Sequence, residues 1–375
     1  KALSRTGRDV AIVTSERHRY WLYRDGRREE HRVPWRLRWA FLPKRFSMAL
    51  HYARDVPASN AFLYLPLTDN SFLWRTLHVA KRIGANVYQA EFPAYARACR
   101  FAQRARGGRV VVVEHNVEYE RIRAQEPSMS EAQYRRLRQL EIEYCNLADA
   151  VICVSENDRD KLKSDGVIAD RLQVVPHGVD LAGFDAVQPR DIRAESGWPD
   201  DARVLVYHGT YEYPPNLQAI RVLATEILPR LQQRGCRPKV LAVGKKPPVQ
   251  PIHEDIRFTG SVESVAGYLK GADLAVVPLL DGGGTRMKII DYFACGVPVV
   301  STTKGIEGIP ARNGLEAFID DDWDDLADHI VRLLNDAELH NKLARAGRRF
   351  AERLDWRTLA EDYVAIYADA GKRGA

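Results

Sequence analysis

No stretch of the 375-residue chain approaches the roughly 18 consecutive apolar residues of a membrane-spanning helix, so none is expected within it. Cysteine is sparse: Cys99, Cys145, Cys153, Cys236 and Cys295 are scattered, odd in number and never spaced C-x-x-C. That argues against a disulfide framework and a structural zinc site, and fits a reducing, cytoplasmic setting. Low-complexity tracts and short-period repeats are absent. With 45% hydrophobic and 28% charged residues, the chain has the balance of a globular protein, long enough for two domains.

Negative charge is scarce at one end. Residues 1–54 carry 14 Lys/Arg against 5 Asp/Glu, while the rest carries 42 against 45. The excess behind the net charge of +6 is densest over 24–45, where Trp35, Trp39 and Phe41 interleave with Arg36, Arg38, Lys44 and Arg45. Such a mixture suits an anionic membrane surface, where cations meet head groups and aromatic rings enter the boundary. It also suits nucleic acid, or a solvated arginine face whose rings pack inward. Nothing here resembles a groove-reading or base-stacking module, so a lipid surface is the preferred expectation and nucleic acid is not expected.

The segment 1–6, followed by Gly7, reads as the last turn of a helix, and a strand and loop are expected to be missing ahead of it. Short apolar runs predict strands at 10–14, 61–65, 86–88, 110–114, 150–154 and 173–175, with helices between them, notably 94–106 and 130–147. Residues 176–189 hold two prolines and two glycines and read as a linker. Strands then resume at 204–208, 239–243, 256–259, 274–278, 299–301 and 317–319, with helices at 218–234, 324–334, 337–353 and 356–370. Alternating elements with Val/Ile-rich strands imply an α/β chain of two doubly wound halves.

The densest signal is PLLDGGGTRMKIIDYFACGVPVVST at 278–302. A strand ends near Pro278, Gly282, Gly283 and Gly284 follow, and Thr285 is placed to cap a helix over 286–295 that Gly296 closes. Free N–H groups at a helix start attract an anion, and glycines let a ligand approach the backbone. Arg286 and Lys288 in the first turn oppose the helix dipole, which makes physical sense if a diphosphate sits there. Asp291, three residues on, shares a face with Lys288 and is placed to accept from ribose hydroxyls. The bland alternative, a surface pair beside a glycine turn, does not explain the whole block in its parallel α/β context.

Other candidates have simpler readings. The acidic run DDDWDD at 320–325 follows a strand and opens a helix, so capping explains it better than metal binding. His177 and His208 read as packed or hydrogen-bonded side chains, and Ser155 as a helix cap.

In these residues the chain resembles the family 4 glycosyltransferases. VVVVEHNVE at 110–118, VICVS at 151–155, VVPHGVD at 174–180, VYHGT at 206–210, FTGSV at 258–262 and the 278–302 block together span nearly the whole sequence. The resemblance implies the GT-B architecture of two facing Rossmann-like domains. Residues 1–178 would be the acceptor side and 179–355 the nucleotide-sugar domain, with 356–375, carrying Trp356, Tyr363 and Tyr367, crossing back to the first.

It further implies a retaining glycosyltransferase that moves a hexose-like sugar from a nucleotide-diphosphate donor to a glycan, glycolipid or small-molecule acceptor. No metal or other cofactor is expected, and the setting would be cytoplasmic, peripheral at the inner face of the membrane. Arg286 and Lys288 would neutralise the diphosphate as the glycosidic bond breaks, and His115 would face the donor sugar and acceptor. Asp291 would bind ribose, Gly260, Ser261 and Val262 would frame the base, and Gly209, Thr210 and Asn216 would line the donor. Sugar hydroxyls would be held by Gly283, Gly284 and Thr285 or by Asp281, beside Gly282, with Asn116 and Glu118 on the acceptor side.

Two positions depart from the family. Gly283 stands where a glutamate is usual, and 210–216 replaces the usual Arg and Lys, so that Arg286 would substitute for them. A sugar-nucleotide epimerase or a glycoside phosphorylase would keep the same fold. A non-catalytic nucleotide-sugar-binding scaffold is the alternative that Gly283 favours.

Overall fold

The computed structural model describes residues 1–14, 16–38 and 70–370. The predicted strand at 61–65 and the residues Trp39, Phe41, Lys44 and Arg45 lie outside the described residues. The chain forms two compact units, Lys1–Pro176 with Arg357–Ala375, and His177–Trp356.

The first unit opens on a 3-10 turn, Leu3–Thr6, ended by Gly7 at φ +75°. The strand expected at 10–14 is shorter and lies at an edge: β1 (Val10–Ile12) is an outer strand of an antiparallel sheet with β2 (Arg19–Arg24) and β3 (Arg27–Arg32). Two causes act here. Asp25 and Gly26, at φ +46° and +78°, make the tight turn whose twist suits a hairpin. Alternation in β2 buries Tyr20 and Leu22 and turns the other side chains outward. Tyr20 and Val33 pack with Val79 of α1 (Asn70–Ile83). Part of the basic excess is spent within this hairpin, where Arg19 meets Glu30 at 3.0 Å and Arg24 meets Asp9 at 2.9 Å.

A parallel sheet follows, in the order β4 (Val87–Glu91), β5 (Arg109–Glu114), β6 (Ala150–Cys153) and β7 (Leu172–Val174). Its helices are α2 (Ala96–Arg106), α3 (Glu118–Gln125), α4 (Glu131–Cys145) and α5 (Glu156–Asp165). Val110–Val113 are wholly buried, as a strand covered on both faces requires. Ser130 and Gln133 form a capping box at the start of α4, and Ser155 caps α5, as its sequence suggests.

Residues 176–189 are not a loose linker. Val179 and Leu181 are buried in the second unit's core, and Val179 bridges to Asp355, because a mostly apolar VDLAGF run has surface to bury. The second unit is a six-stranded parallel sheet. Its strands are β8 (Val204–His208), β9 (Lys239–Val243), β10 (Ile256–Phe258), β11 (Leu274–Val277), β12 (Val299–Ser301) and β13 (Phe318–Ile319).

The predicted helix at 218–234 starts earlier and is interrupted. It comprises α6 (Pro214–Val222), a π-helical turn at Leu223–Ile227, and α7 (Leu228–Gln233). Pro229 cannot donate to the turn before it and its ring crowds that turn's carbonyl, which the wider π turn accommodates. Further helices are α8 (Ala266–Gly271), α9 (Met287–Ala294), α10 (Trp323–Asn335), α11 (Ala337–Glu352) and α12 (Trp356–Asp369). From Arg357 onward α12 belongs to the first unit, where Arg109 donates to the Tyr367 carbonyl.

Candidate functional site

The second sheet runs β10-β9-β8-β11-β12-β13. Strand order therefore reverses between β8 and β11, and a doubly wound sheet opens a crevice beyond the carboxyl ends of its strands at that point. The loops leaving those two strands are 209–213 and 278–286, which hold Gly209, Thr210 and the triple glycine. Backbones crowd closely here. A Cβ on Gly244, after β9, would lie 1.9 Å from the Gly209 carbonyl oxygen, and Gly244 itself has φ +141°. An antiparallel bridge from Gly244 to Gly260 brings the loop after β10, with Ser261 and Val262, to the same edge.

Lys288 points down from the first turn of α9 rather than out to solvent. Its Nζ donates to the Tyr207 hydroxyl and, at 2.7 Å, to Asn216 Oδ1. Asn216 Oδ1 also accepts from the Tyr207 hydroxyl at 2.6 Å, and its amide donates to the Thr210 carbonyl at 2.9 Å. Burial first, and the Arg286 charge second, hold the Lys288 ammonium well below its ordinary pKa. Among the described residues, no carboxylate pairs with it.

Arg286, the other expected diphosphate ligand, makes its contacts within the loop and beneath it. It is buried, and its guanidinium donates to the carbonyls of Gly282 at 2.7 Å, Gly283 at 2.9 Å and Lys304 at 3.1 Å. Glu307, itself paired with Lys304, lies 3.2 Å away. Arg286 thus braces the glycine loop from beneath. The expected cap by Thr285 is corrected. The N-cap residue of α9 is Arg286, no side chain caps the helix, and Thr285 instead packs against Gly308, where a Cβ would lie 3.1 Å from its hydroxyl. Asp281 accepts from the Gly282 N–H at 2.6 Å, and a Cβ at Gly283 would meet nothing within 4 Å.

Asp291 and His208 meet below the crevice, with His208 Nε2 3.4 Å from Asp291 Oδ2. Burial pushes Asp291 up to about 7. Burial and then Lys288 push His208 down to about 3. Near neutral pH the imidazole is therefore uncharged, so the contact is not an ion pair.

In the first unit the expected acceptor-side residues follow β5. His115 Nε2 lies 2.9 Å from Glu91 Oε2, and its ring packs on Phe92 at 4.8 Å between centroids. Phe92 adopts φ +86°, a conformation costing an aromatic residue about 1–3 kcal/mol. Asn116 reaches Glu118 at 3.5 Å, and Glu118 is buried against Arg121. The cap of α3 comes from Glu141, whose carboxylate accepts the N–H groups of Glu118 and Tyr119, each at 2.8 Å. Glu114 is buried beside Cys145, and burial together with Glu141 raises its pKa. Sequence reasoning did not find Tyr207, Glu91, Phe92 or Glu307. Strand-end position is the signal for Tyr207 and Glu91, and the other two have none.

DDDWDD is explained by structure. Asp322 caps α10, while Asp324 and Asp328 pair with Arg230 and Arg234. Among the described residues no cluster of metal-ligating side chains occurs.

The fold has known counterparts. The crystal structure of Anabaena Alr3699/HepE in complex with UDP matches at TM-score 0.63 and 16% identity, covering 79% of this chain and 82% of that one. Sucrose-phosphate synthase from Thermosynechococcus elongatus matches at TM-score 0.64 and 20% identity, covering 85% and 81%. The architecture is GT-B, with two Rossmann-like domains. The sequence pattern of Glycosyltransferase Family 4 matches residues 1–182, and that of Glycosyl transferases group 1 matches 202–336. The chain belongs to the family 4, group 1 glycosyltransferases.

Among relatives, the phosphatidyl-myo-inositol mannosyltransferase of Mycolicibacterium smegmatis is 26% identical over 211 residues, 53% of this chain and 52% of its own length. The D-inositol 3-phosphate glycosyltransferase of Saccharomonospora viridis is 25% identical over 251 residues, 60% and 56%. The chain spans about half the length of the curated relatives it matches.

Proposed function

We propose that this chain is a metal-independent, retaining glycosyltransferase that takes a hexose-like sugar from a nucleotide-diphosphate donor bound by the second unit. The observation that carries the reading is Lys288, a partly buried cation at the reversal of strand order whose partners are two neutral oxygens. A buried ammonium without a counter-charge is costly unless an anion completes the site. The start of α9, which no side chain covers, and the open space at Gly283 leave room for it. Arg286 keeps the glycine loop in shape, and Asp291 accepts from ribose.

In the reaction the bond between the anomeric carbon and the β-phosphate oxygen breaks, and both electrons leave with the phosphate. Lys288 and the loop N–H groups stabilise that growing charge, where rate acceleration lies. An acceptor hydroxyl then bonds the same face of the anomeric carbon and passes its proton to the departing phosphate oxygen, so no protein nucleophile is needed. His115 orients acceptor and sugar, and Asn116 lies on the acceptor side.

Relatives named for inositol-bearing acceptors support a glycan, lipid-linked or small polyol acceptor. Docking on an anionic inner membrane surface through 24–45 fits Trp35, 70% exposed beside the exposed Arg36. No described helix is long and apolar enough to cross a membrane. Flotation with anionic liposomes tests the docking, and indifference to them removes it.

The reaction is tested by incubating the full chain with UDP-, GDP-, ADP- and dTDP-hexoses, with and without acceptors, and following products by NMR. Acceptor-dependent nucleotide release with a retained anomeric configuration supports the reading. Conversion of the donor sugar without acceptor indicates an epimerase, and binding without turnover a scaffold.

A further inference from the structure

Among the groups in the first unit, one side-chain chain runs from the last helix to His115. The Tyr367 hydroxyl on α12 donates to Gln89 Oε1, and Gln89 Nε2 donates to Glu91 Oε1. The second oxygen of the same carboxylate lies 2.9 Å from His115 Nε2. Gln89 and Glu91 alternate along β4, two positions apart, so both point to one face of the sheet. Register places Glu91 opposite Val113, two residues before His115. Phe92 supports the ring from the next position, its N–H bonded to the Val113 carbonyl at 3.0 Å in spite of its left-handed backbone.

From this geometry we infer that Glu91 is a positioning residue for His115, fixed in turn by Gln89 and Tyr367. A carboxylate is acceptor-only, so the proton of the pair resides on Nε2 and the ring plane is set by Glu91. Gln89 fixes the other carboxylate oxygen, which keeps Glu91 from rotating away. Docking of α12 thereby reaches His115 through three side chains. The inference rests on the proposed role of His115 for its catalytic consequence, and on the hydrogen bonds alone for its structural part.

The test uses the full chain and two independent readouts. A His115 ring N–H proton resonance, assigned by its loss in His115→Gln, is expected downfield in the wild type. It should move or vanish in Glu91→Gln and shift less in Tyr367→Phe. This readout needs no turnover, so it stands if the transferase reading fails. In the transfer assay Glu91→Gln should lower kcat by about 10–100-fold while leaving the donor KM within about twofold. Adding it to His115→Gln should bring no further loss, since a residue acting through another is not additive with it. An unchanged or unobservable His115 N–H resonance in Glu91→Gln and wild type alike overturns the pairing. Additive losses in the double variant overturn the positioning role while the resonance confirms the contact.

Discussion

The Lys288 ammonium donates to the Asn216 side-chain oxygen across 2.7 Å, joining the first turn of α9 to the first turn of α6. Tyr207, at the end of β8, closes the triangle by donating to the same oxygen at 2.6 Å. The cation of the proposed donor site is therefore held by strand and helix ends rather than by the flexible glycine loop. Its orientation is set before any ligand arrives, which lowers the ordering cost of binding.

Binding of a nucleoside diphosphate should draw a proton onto the protein. Burial holds Lys288 well below its ordinary pKa, and an anion brought against it favours the charged form. Calorimetry over a range of pH, in buffers of different ionisation enthalpy, should report net proton uptake that is abolished in Lys288→Met. Equal heats in all buffers contradict it.

Stability should fall as pH rises between about 4 and about 7 through Asp291. Its folded pKa is raised from 3.8 to about 7 by burial. The folded state thus binds more protons than the unfolded chain in that window, and the contribution is lost as the carboxylate ionises. Urea unfolding should show a slope between pH 4 and 7 that is shallower in Asp291→Asn, by at most a few kcal/mol over the range. Identical slopes in the two proteins refute this.

Gly244→Ala should be far more costly than Gly197→Ala. Both have positive φ, but a Cβ at Gly244 meets the Gly209 carbonyl oxygen at 1.9 Å, whereas one at Gly197 meets nothing within 4 Å. Backbone strain alone predicts about 1 kcal/mol for Gly197, and an added clash about 3 kcal/mol or more for Gly244. Denaturant midpoints of the two variants decide it.

Replacing Arg286 by methionine should loosen the glycine loop and destabilise the second unit by about 1–3 kcal/mol, since three carbonyls lose their donor. Hydrogen exchange of Gly282–Thr285 should rise in the variant. Unchanged exchange with lost nucleotide binding would instead mark Arg286 as a direct ligand.

Local pattern reached a good part of this molecule and stopped where contacts are long-range. The strands Arg109–Glu114 and Val204–His208, the acidic cap at Asp322 and the helix Met287–Ala294 follow from runs of neighbours in the chain. The Asp25–Gly26 pair is a hairpin turn that sequence reasoning did not identify, because the arginines and aromatics around it read as a surface segment. Lys288 and Arg286 sit two residues apart with similar chemistry, and only the tertiary structure separates them. One reaches Asn216 across the sheet, and the other turns beneath its own loop to Glu307. Glu91 is anonymous in sequence, because its meaning depends on β4 lying beside β5.

The most direct measurement is the change in Tm of wild type and Lys288→Ala with UDP, GDP, ADP and dTDP, each with and without EDTA. One nucleotide should raise the wild-type Tm, insensitive to EDTA, and the rise should be lost in Lys288→Ala. A rise that EDTA removes, or one that survives in Lys288→Ala, contradicts a metal-independent diphosphate site built on this lysine.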